Sequence, residues 1–125
     1  MKRLLAIMIG VGLAVATSAV AATPAAAVSA NGCTYPRVCF YLTFQDAINN
    51  RVTASYQDMN LWQRLGARSR GSFMVWNTRN NDGARLRMES GLIRCVWPND
   101  GWTEPYGPDP DTTVVAIQIV DSETC

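Results

Sequence analysis

The segment from Ser72 to Pro98 constrains the fold more than any other stretch of this chain. It places two apolar runs on either side of Asn81-Asp82-Gly83, and Asp-Gly between such runs predicts a tight hairpin turn, because both residues tolerate a positive φ. A second reversal at Ser90-Gly91 leads to a third apolar run over residues 92–97. The segment therefore predicts a three-stranded antiparallel meander. Its middle strand alternates apolar with charged residues: Ala84, Leu86 and Met88 against Arg85, Arg87 and Glu89.

The rest of the chain predicts a few further elements. Residues 112–120 are rich in β-branched side chains and predict a final strand, central in its sheet. Residues 40–44 predict a first strand, and residues 58–65 predict a short helix capped by Asp58. Weaker signals favour a helical turn at residues 46–48 and a short strand at residues 51–56. We expect a mainly β fold, a small antiparallel disulfide-stapled sheet or sandwich with one short helix.

The N-terminus predicts secretion. Lys2 and Arg3 precede an apolar run, residues 4–15, that is too short to span a bilayer comfortably. Small residues then allow cleavage after Ala21 or Ala27, which we favour, or after Ala30. An uncleaved membrane anchor is the alternative, although no basic stop-transfer cluster follows.

The expected organisation has three parts. Residues 1–21 form the signal peptide, with cleavage as late as residues 27–30 as the alternative, and residues 22–30 form a disordered lead-in. Residues 31–125 form a single secreted β domain with no membrane span after processing. A domain of this size buries an adequate core but benefits from covalent staples.

Four cysteines supply those staples. An even number of Cys in an exported chain predicts disulfides, and a zinc site is the minor alternative because neither Cys-x-x-Cys nor His occurs. Three connectivities are possible. We favour Cys33–Cys39 with Cys95–Cys125, because the first pair is local and the second joins the last residue to the meander.

Charge and the absence of His exclude several functions. Removal of the leader leaves nine Arg against ten Asp and Glu, with no Lys, and such a near-neutral chain is not expected to bind nucleic acid. Without His, the Ser-His-Asp, Cys-His and ordinary zinc hydrolase systems are unavailable. Two carboxylates alone can hydrolyse glycosides, and Glu89, Glu104 or the Asp residues of the loop are candidates. Solvated surface acids are the favoured interpretation, so we predict no enzyme.

Two regions carry binding hypotheses. Arg64, Arg68 and Arg70 cluster around two Gly residues, and Arg85 and Arg87 could extend them into a patch for an anionic cell-wall polymer or an acidic protein. A solvated turn is the favoured alternative, and Arg85 and Arg87 could instead pair across strands with Glu89 or Asp82.

The second region is the long loop over residues 98–111, which has four Pro, two Gly, four acids and no base. Loops of this length are commonly functional or disordered. Trp102 and Tyr106 argue against plain disorder, since exposed aromatics pack on the body or on a partner. Together with Glu104 they are the candidate partner-binding residues.

Three patches resemble a known family. Cys33-x5-Cys39 followed by Phe40-Tyr41 just after a signal peptide, the run 75–84 (VWNTRNNDGA) and the ending 117–125 are similar to small secreted actinobacterial proteins related to the βγ-crystallin-like metalloproteinase inhibitors. The resemblance implies a Greek-key β fold and inhibition of an extracellular peptidase.

The same resemblance suggests candidate calcium-binding residues. Domains of the βγ-crystallin type bind Ca²⁺ through two Asn or Asp residues, two variable residues, Ser or Thr, and Ser. Residues 49–54 and 99–104 match the first five positions and lack the last Ser. Because Ca²⁺ takes six to eight oxygen ligands, the candidate ligands are Asn49, Asn50, Thr53, Asn99, Asp100 and Thr103.

Two functions follow. The first is a secreted binding protein, expected to be a peptidase inhibitor that acts through the loop at residues 99–111. The second is a structural or cell-surface module without a peptidase target, with or without stabilisation by Ca²⁺.

Overall fold

A computed structural model of the chain describes residues 29–104, 107 and 109–125. Within them the chain forms, in order, β1 (Val38–Tyr41), α1 (Phe44–Ile48), β2 (Ala54–Tyr56), β3 (Gln63–Arg64), β4 (Met74–Asn77), β5 (Gly83–Met88), β6 (Ile93–Val96), β7 (Asp100–Thr103) and β8 (Val114–Val120). The predicted signal peptide and most of the lead-in lie outside the described residues. None of the helices in the described part is long and apolar enough to cross a membrane.

The strands form two antiparallel four-stranded sheets. Sheet I has the order β2-β1-β4-β7 and sheet II has the order β3-β8-β5-β6. The predicted mainly β architecture with one short helix is confirmed, and so are both favoured disulfides, Cys33–Cys39 and Cys95–Cys125. The final strand is confirmed as central, because β8 lies between β3 and β5.

Each half of the chain forms a Greek-key unit. In the first unit, β1 lies between β2 and β4 while β3 crosses to sheet II; in the second, β5 lies between β6 and β8 while β7 crosses to sheet I. The exchange of the third strands interlocks the two units. It also makes β1 and β5 equivalent central strands of their sheets.

The main core lies between the two sheets. Alternate residues of each central strand point inward, so that Phe40 and Val75 of sheet I meet Leu86 and Ile117 of sheet II, all fully buried. Burial of such a side chain contributes about 1.5–3 kcal/mol each. The inward residues therefore hold the sheets together.

A second, smaller core covers the outer face of sheet I. Cys33, Cys39 and Tyr41 are buried there, with Met74 and Trp76 packed against them. Burial raises the pKa of the Tyr41 hydroxyl to about 12, and that hydroxyl donates a hydrogen bond to the carbonyl oxygen of Asn31. Because β1 has a core on each side, all four of its residues are buried.

Helix α1 closes one end of that second core. The Thr43 side chain caps it by accepting a hydrogen bond from the Asp46 backbone N–H at 3.1 Å, while Asp46 accepts one from the Thr43 backbone N–H at 3.0 Å. This reciprocal capping box satisfies two N–H groups at the start of the helix. The hydrogen bond from the Thr43 hydroxyl, and then the one from Arg51, hold the pKa of the Asp46 carboxyl below its ordinary value.

The predicted meander is wrong in its first strand. The β5–β6 hairpin forms as expected, but β4 pairs with β1 and β7 in the other sheet. The connection over residues 78–82 crosses between sheets, held by the buried Asn77 amide, which donates to the Asp82 carbonyl oxygen at 2.8 Å. Gly83 is the first residue of β5 and does not adopt a positive φ. Hydrogen bonds from the buried Asn77 amide therefore hold this connection, and the predicted tight turn does not form.

The predicted helix over residues 58–65 is also wrong. Met59 bridges to Ile119, and β3 pairs with β8, so this segment extends along the sheet edge, where pairing satisfies its backbone groups. The two leucines that were expected to share one face of the helix have different environments, since Leu65 lies in the main core and Leu61 is exposed. The weaker signals were better placed, because α1 and β2 lie at the predicted helical turn and short strand.

Candidate functional site

Two surfaces stand out. The first is the acidic loop, residues 104–113, which joins β7 to β8. Its ends are tied to neighbouring backbone: the Glu104 N–H donates to the Phe73 carbonyl oxygen at 2.8 Å, and the Thr113 carbonyl oxygen accepts from the Glu89 N–H at 2.8 Å. Both ends of the loop are therefore fixed by the β framework.

Hydrogen bonds also fix the loop internally. The Asp109 carbonyl oxygen accepts from the N–H groups of Thr112 and Thr113, at 2.9 and 2.7 Å, and the Asp109 carboxylate accepts from the Asp111 N–H at 2.8 Å. The Ser90 N–H donates to the Pro110 carbonyl oxygen at 2.9 Å, which links the loop to the β5–β6 turn. The residues nearest the tip, Gly107 and Asp109 to Asp111, are exposed. The described part of the loop is therefore hydrogen-bonded to itself and to the β framework, and its tip is accessible to solvent.

The predicted loop over residues 98–111 is shorter than expected because β7 occupies its first part. Trp102 lies in β7 opposite Val75 and packs, half-buried, against the main core. Glu104 is half-buried, and its carboxylate lies 3.4 Å from the Thr112 hydroxyl, which donates to it. Tyr106 lies outside the described residues. Truncation of Trp102 would therefore remove core contacts as well as any contact with a partner.

The second surface, the arginine face, is the outer face of sheet II. Arg64 on β3 and Arg87 on β5 both lie opposite Ala116 of β8, so the three side chains form one row across the sheet. Arg85 lies two residues before Arg87 on the same side. Arg70, from the turn before β4, reaches the same surface and lines a groove of about 490 Å³ together with Arg64 and Arg87.

Trp62 organises this face. Its ring lies 4.0 Å from the Arg87 guanidinium carbon and 5.6 Å from that of Arg85, a cation–π arrangement. Arg85 also donates a hydrogen bond to the Gln118 side-chain oxygen at 3.1 Å. The aromatic ring was not among the residues that the sequence indicated, although its position two residues before Arg64 would have placed both on one side of a strand.

A β-bulge shapes the floor of the groove. The register between β5 and β8 shifts after Arg87, so that Arg87 pairs with Ala116 but Met88 pairs with Val114. Val115 is left without a partner in β5, although its carbonyl oxygen accepts from the Leu65 N–H, and it lines the groove beside Ala116. Bulges commonly re-aim a side chain in this way.

The arginine cluster of the sequence is thus partly assembled. Arg64, Arg70 and Arg87 share the groove, whereas Arg68 is exposed and is not part of its lining. The expected pairing of Arg85 or Arg87 with Glu89 or Asp82 is not found among the described residues, since Glu89 pairs with Arg70 and Asp82 with Arg79.

The two candidate calcium segments are not brought together. Asn49 and Asn50 follow α1 and lead towards β2, at one edge of sheet I, while Asn99, Asp100 and Thr103 accompany β7 at the other edge. The Thr53 hydroxyl is already engaged, donating to the Phe40 carbonyl oxygen at 3.0 Å and accepting from the Leu42 N–H at 3.1 Å. The Asp100 carboxylate accepts from the Gly101 N–H at 2.8 Å. Each segment would have to bind an ion separately.

The candidate carboxylates Glu104, Asp109 and Asp111 lie in the exposed acidic loop, and Glu89 lies in the groove beside it. Three pockets in the described part of the molecule contain one carboxylate each: Asp58, Glu89 and Glu123. Glycoside hydrolysis needs two such groups flanking one bond, and none of these three pockets supplies both.

No protein-family model, curated protein or solved structure matches this chain.

Proposed function

We propose that this protein is a secreted, disulfide-bonded binding protein that acts without catalysis by presenting the acidic loop to a protein partner. Extracellular peptidases are the first class of partner to test. The observation that carries the proposal is the fixation of the loop at Glu104, at Thr113 and around the Asp109 carbonyl oxygen. A segment that is already ordered loses less conformational entropy on binding.

The covalent framework supports the same proposal. The loop lies inside the ring closed by Cys95–Cys125, which joins residues 30 apart, so its two ends cannot separate widely. The arrangement of two interlocked Greek keys agrees with the resemblance to βγ-crystallin-like metalloproteinase inhibitors. Two disulfides are compatible with an oxidising extracellular location.

The test is an inhibition screen of the mature protein against metallo-, serine and cysteine peptidases. Tyr106→Ala should weaken inhibition by about 2 kcal/mol or more, as expected for a central aromatic anchor. Thr112→Val keeps the side-chain shape but removes the hydroxyl, which lies 3.3 Å from the carbonyl oxygens of Gly107 and Asp109 and 3.4 Å from the Glu104 carboxylate, so it should weaken inhibition by loosening the loop. Trp97→Ala is the matched control, because Trp97 is 58% exposed and lies outside the loop.

Absence of inhibition in all three classes would contradict the peptidase proposal. The alternative is then a structural or cell-surface module. Stabilisation of that module by Ca²⁺ is tested separately, by thermal melting. Thermal melting in the presence of Ca²⁺ and of a chelator should differ if ions bind at residues 49–53 or 99–103. Equal melting temperatures would contradict stabilisation by calcium.

A further inference from the structure

The arginine face concentrates positive charge on a nearly neutral chain. The whole sequence has a formal charge of +1, yet four arginines meet one carboxylate on this face. The Arg70–Glu89 pair is long, at 3.4 Å, and its side chains are 55% and 50% exposed, so it is weak, and the face keeps a net charge of +3 after Glu89 offsets one arginine. Arg64, Arg85 and Arg87 make no ion pair within the described residues. The face therefore attracts anions.

Two of its guanidinium groups are held in place before any ligand arrives. Trp62 lies against Arg87, and Gln118 accepts a hydrogen bond from Arg85. An arginine offers five N–H donors in a planar fork, so these contacts leave most donors free for the oxygens of a carboxylate or sulfate. A preorganised guanidinium loses less entropy when it binds such a group.

The spacing suits a chain of anionic groups better than a single ion. Arg64 and Arg87 stand on either side of Ala116, about 10 Å apart across two strand spacings. Arg85 lies about 7 Å from Arg87 along β5. The open groove between Arg64 and Arg87 has a volume of about 490 Å³ and a small apolar floor of Val115 and Ala116, and Arg85 lies beside it on the same face.

We propose that the arginine face binds a linear acidic polysaccharide, a sugar chain that bears carboxylate or sulfate groups. Its charges would meet Arg64, Arg85 and Arg87, and the apolar faces of its sugar rings would lie over Val115 and Ala116. This groove adjoins the acidic loop, because Glu89 lines it and donates its N–H to the Thr113 carbonyl oxygen. Its lining residues lie outside the loop, and the proposal does not depend on the function proposed for that loop.

Two other classes of macromolecule fit less well. A stable protein interface has an apolar, well-packed core, whereas this groove is lined mainly by charged side chains. Nucleic acid binders contact many phosphates and offer open aromatic rings for base stacking. Here four arginines are present, and the half-buried Trp62 is already in contact with Arg87.

The test measures binding of the mature, disulfide-bonded protein to oligogalacturonate and heparin oligosaccharides by titration calorimetry. Neutral dextran oligosaccharides and single-stranded DNA of matched charge are the comparison ligands. Arg87→Gln and Arg64→Gln are the test variants. Arg94→Gln is the matched control, since it removes the same charge from an exposed arginine that lies opposite Leu86, away from the arginine face. Melting curves check that every variant is folded.

We expect both acidic glycans to bind and dextran not to bind. Each test variant should weaken glycan binding by about tenfold or more, the loss expected for a charge-assisted hydrogen bond, while Arg94→Gln changes it by less than about twofold. If Arg87→Gln fails to fold, Arg64→Gln decides. The proposal is overturned if neither acidic glycan binds, if Arg94→Gln weakens binding as much as the test variants do, or if DNA of matched charge binds more tightly than the glycans.

Discussion

The two sheets have equivalent strand orders, β2-β1-β4-β7 and β6-β5-β8-β3, but their outer faces differ. Strand β1 and strand β5 occupy equivalent central positions, and both point an aromatic or aliphatic residue inward, Phe40 and Leu86. Their outward residues differ: Cys39 and Tyr41 are buried, whereas Arg85 and Arg87 are accessible from solvent. The same topology therefore supports one covered face and one open face.

The two sheets differ in whether other segments of the chain cover their outer faces. The Cys33–Cys39 segment and helix α1 lie over sheet I and complete a second core, while the outer face of sheet II keeps a charged groove. The sequences of the central strands already carry this difference, because Val-Cys-Phe-Tyr is continuously apolar and Ala-Arg-Leu-Arg alternates. A strand covered on both sides needs the first pattern, and a strand covered on one side needs the second.

Truncation of equivalent outward residues should give the largest contrast between the two faces. Tyr41→Ala should destabilise the protein by about 3–5 kcal/mol, as for other buried aromatic residues. Arg87→Ala should cost about 1 kcal/mol or less, mainly from loss of the contact with Trp62. Denaturant unfolding measures both, and similar losses for the two variants would contradict the distinction between a covered and an open face.

The two disulfides give the next contrast. Replacing Cys95 and Cys125 by Ser opens a loop of 30 residues and should cost about 3.5–4 kcal/mol on the chain-entropy model. Replacing Cys33 and Cys39 opens a loop of six and should cost about 2–2.5 kcal/mol on that model. Unfolding free energies of the two double variants decide, and the reverse order would mean that packing of the buried Cys33 and Cys39 outweighs chain entropy.

Gly83 sharpens the comparison at the starts of the two central strands, because Val38 begins β1 and points into the main core, whereas Gly83 begins β5 and, next to the inward Ala84, points to the outer face. Gly83→Val should cost about 1–3 kcal/mol by overpacking, since even a Cβ atom there would lie 2.8 Å from the Cys125 sulfur and 3.0 Å from the Ser122 oxygen. The expected cause is contact, not the positive φ that the sequence suggested.

Two variants separate these causes by thermal melting. Gly91 does have a positive φ, of 92°, and open space around it, so Gly91→Ala reports backbone strain alone, about 1 kcal/mol. Gly83→Ala should become less costly when Cys95 and Cys125 are both Ser, because the smaller oxygen relieves the contact. An unchanged cost in that background would contradict the contact explanation.

Asp46 on the covered side gives the smallest effect, seen in the pH dependence of stability. Since its folded pKa is lowered by Thr43 and Arg51, its contribution is present above the unfolded pKa of about 3.9 and is lost as the pH falls through the lower folded value. Asp46→Asn should reduce the loss of unfolding free energy at low pH. Asp58→Asn, which changes an exposed carboxylate, should leave that loss as large as in the wild type. Identical losses for both variants and the wild type would be the contrary result.

The sequence by itself determined the features that depend on neighbouring residues. The alternation at residues 84–88 and the reversal at Ser90-Gly91 predicted the β5–β6 hairpin, and the β-branched run at residues 112–120 predicted a central strand. The even number of cysteines and the position of Cys125 predicted both disulfides. These signals are local patterns of side-chain periodicity, turn chemistry and covalent geometry.

Only the tertiary structure decided which strands pair. The pairing of β3 with β8 joins residues more than fifty positions apart, and it overrode a helical pattern at residues 58–65 because pairing at a sheet edge satisfied the same backbone groups. The Asn77 amide stabilises the connection between β4 in sheet I and β5 in sheet II. The pairing of β3 with β8 places Trp62 next to Arg87. Local periodicity contains no information on such partners, since it reports which face of a segment is buried and not which segment buries it.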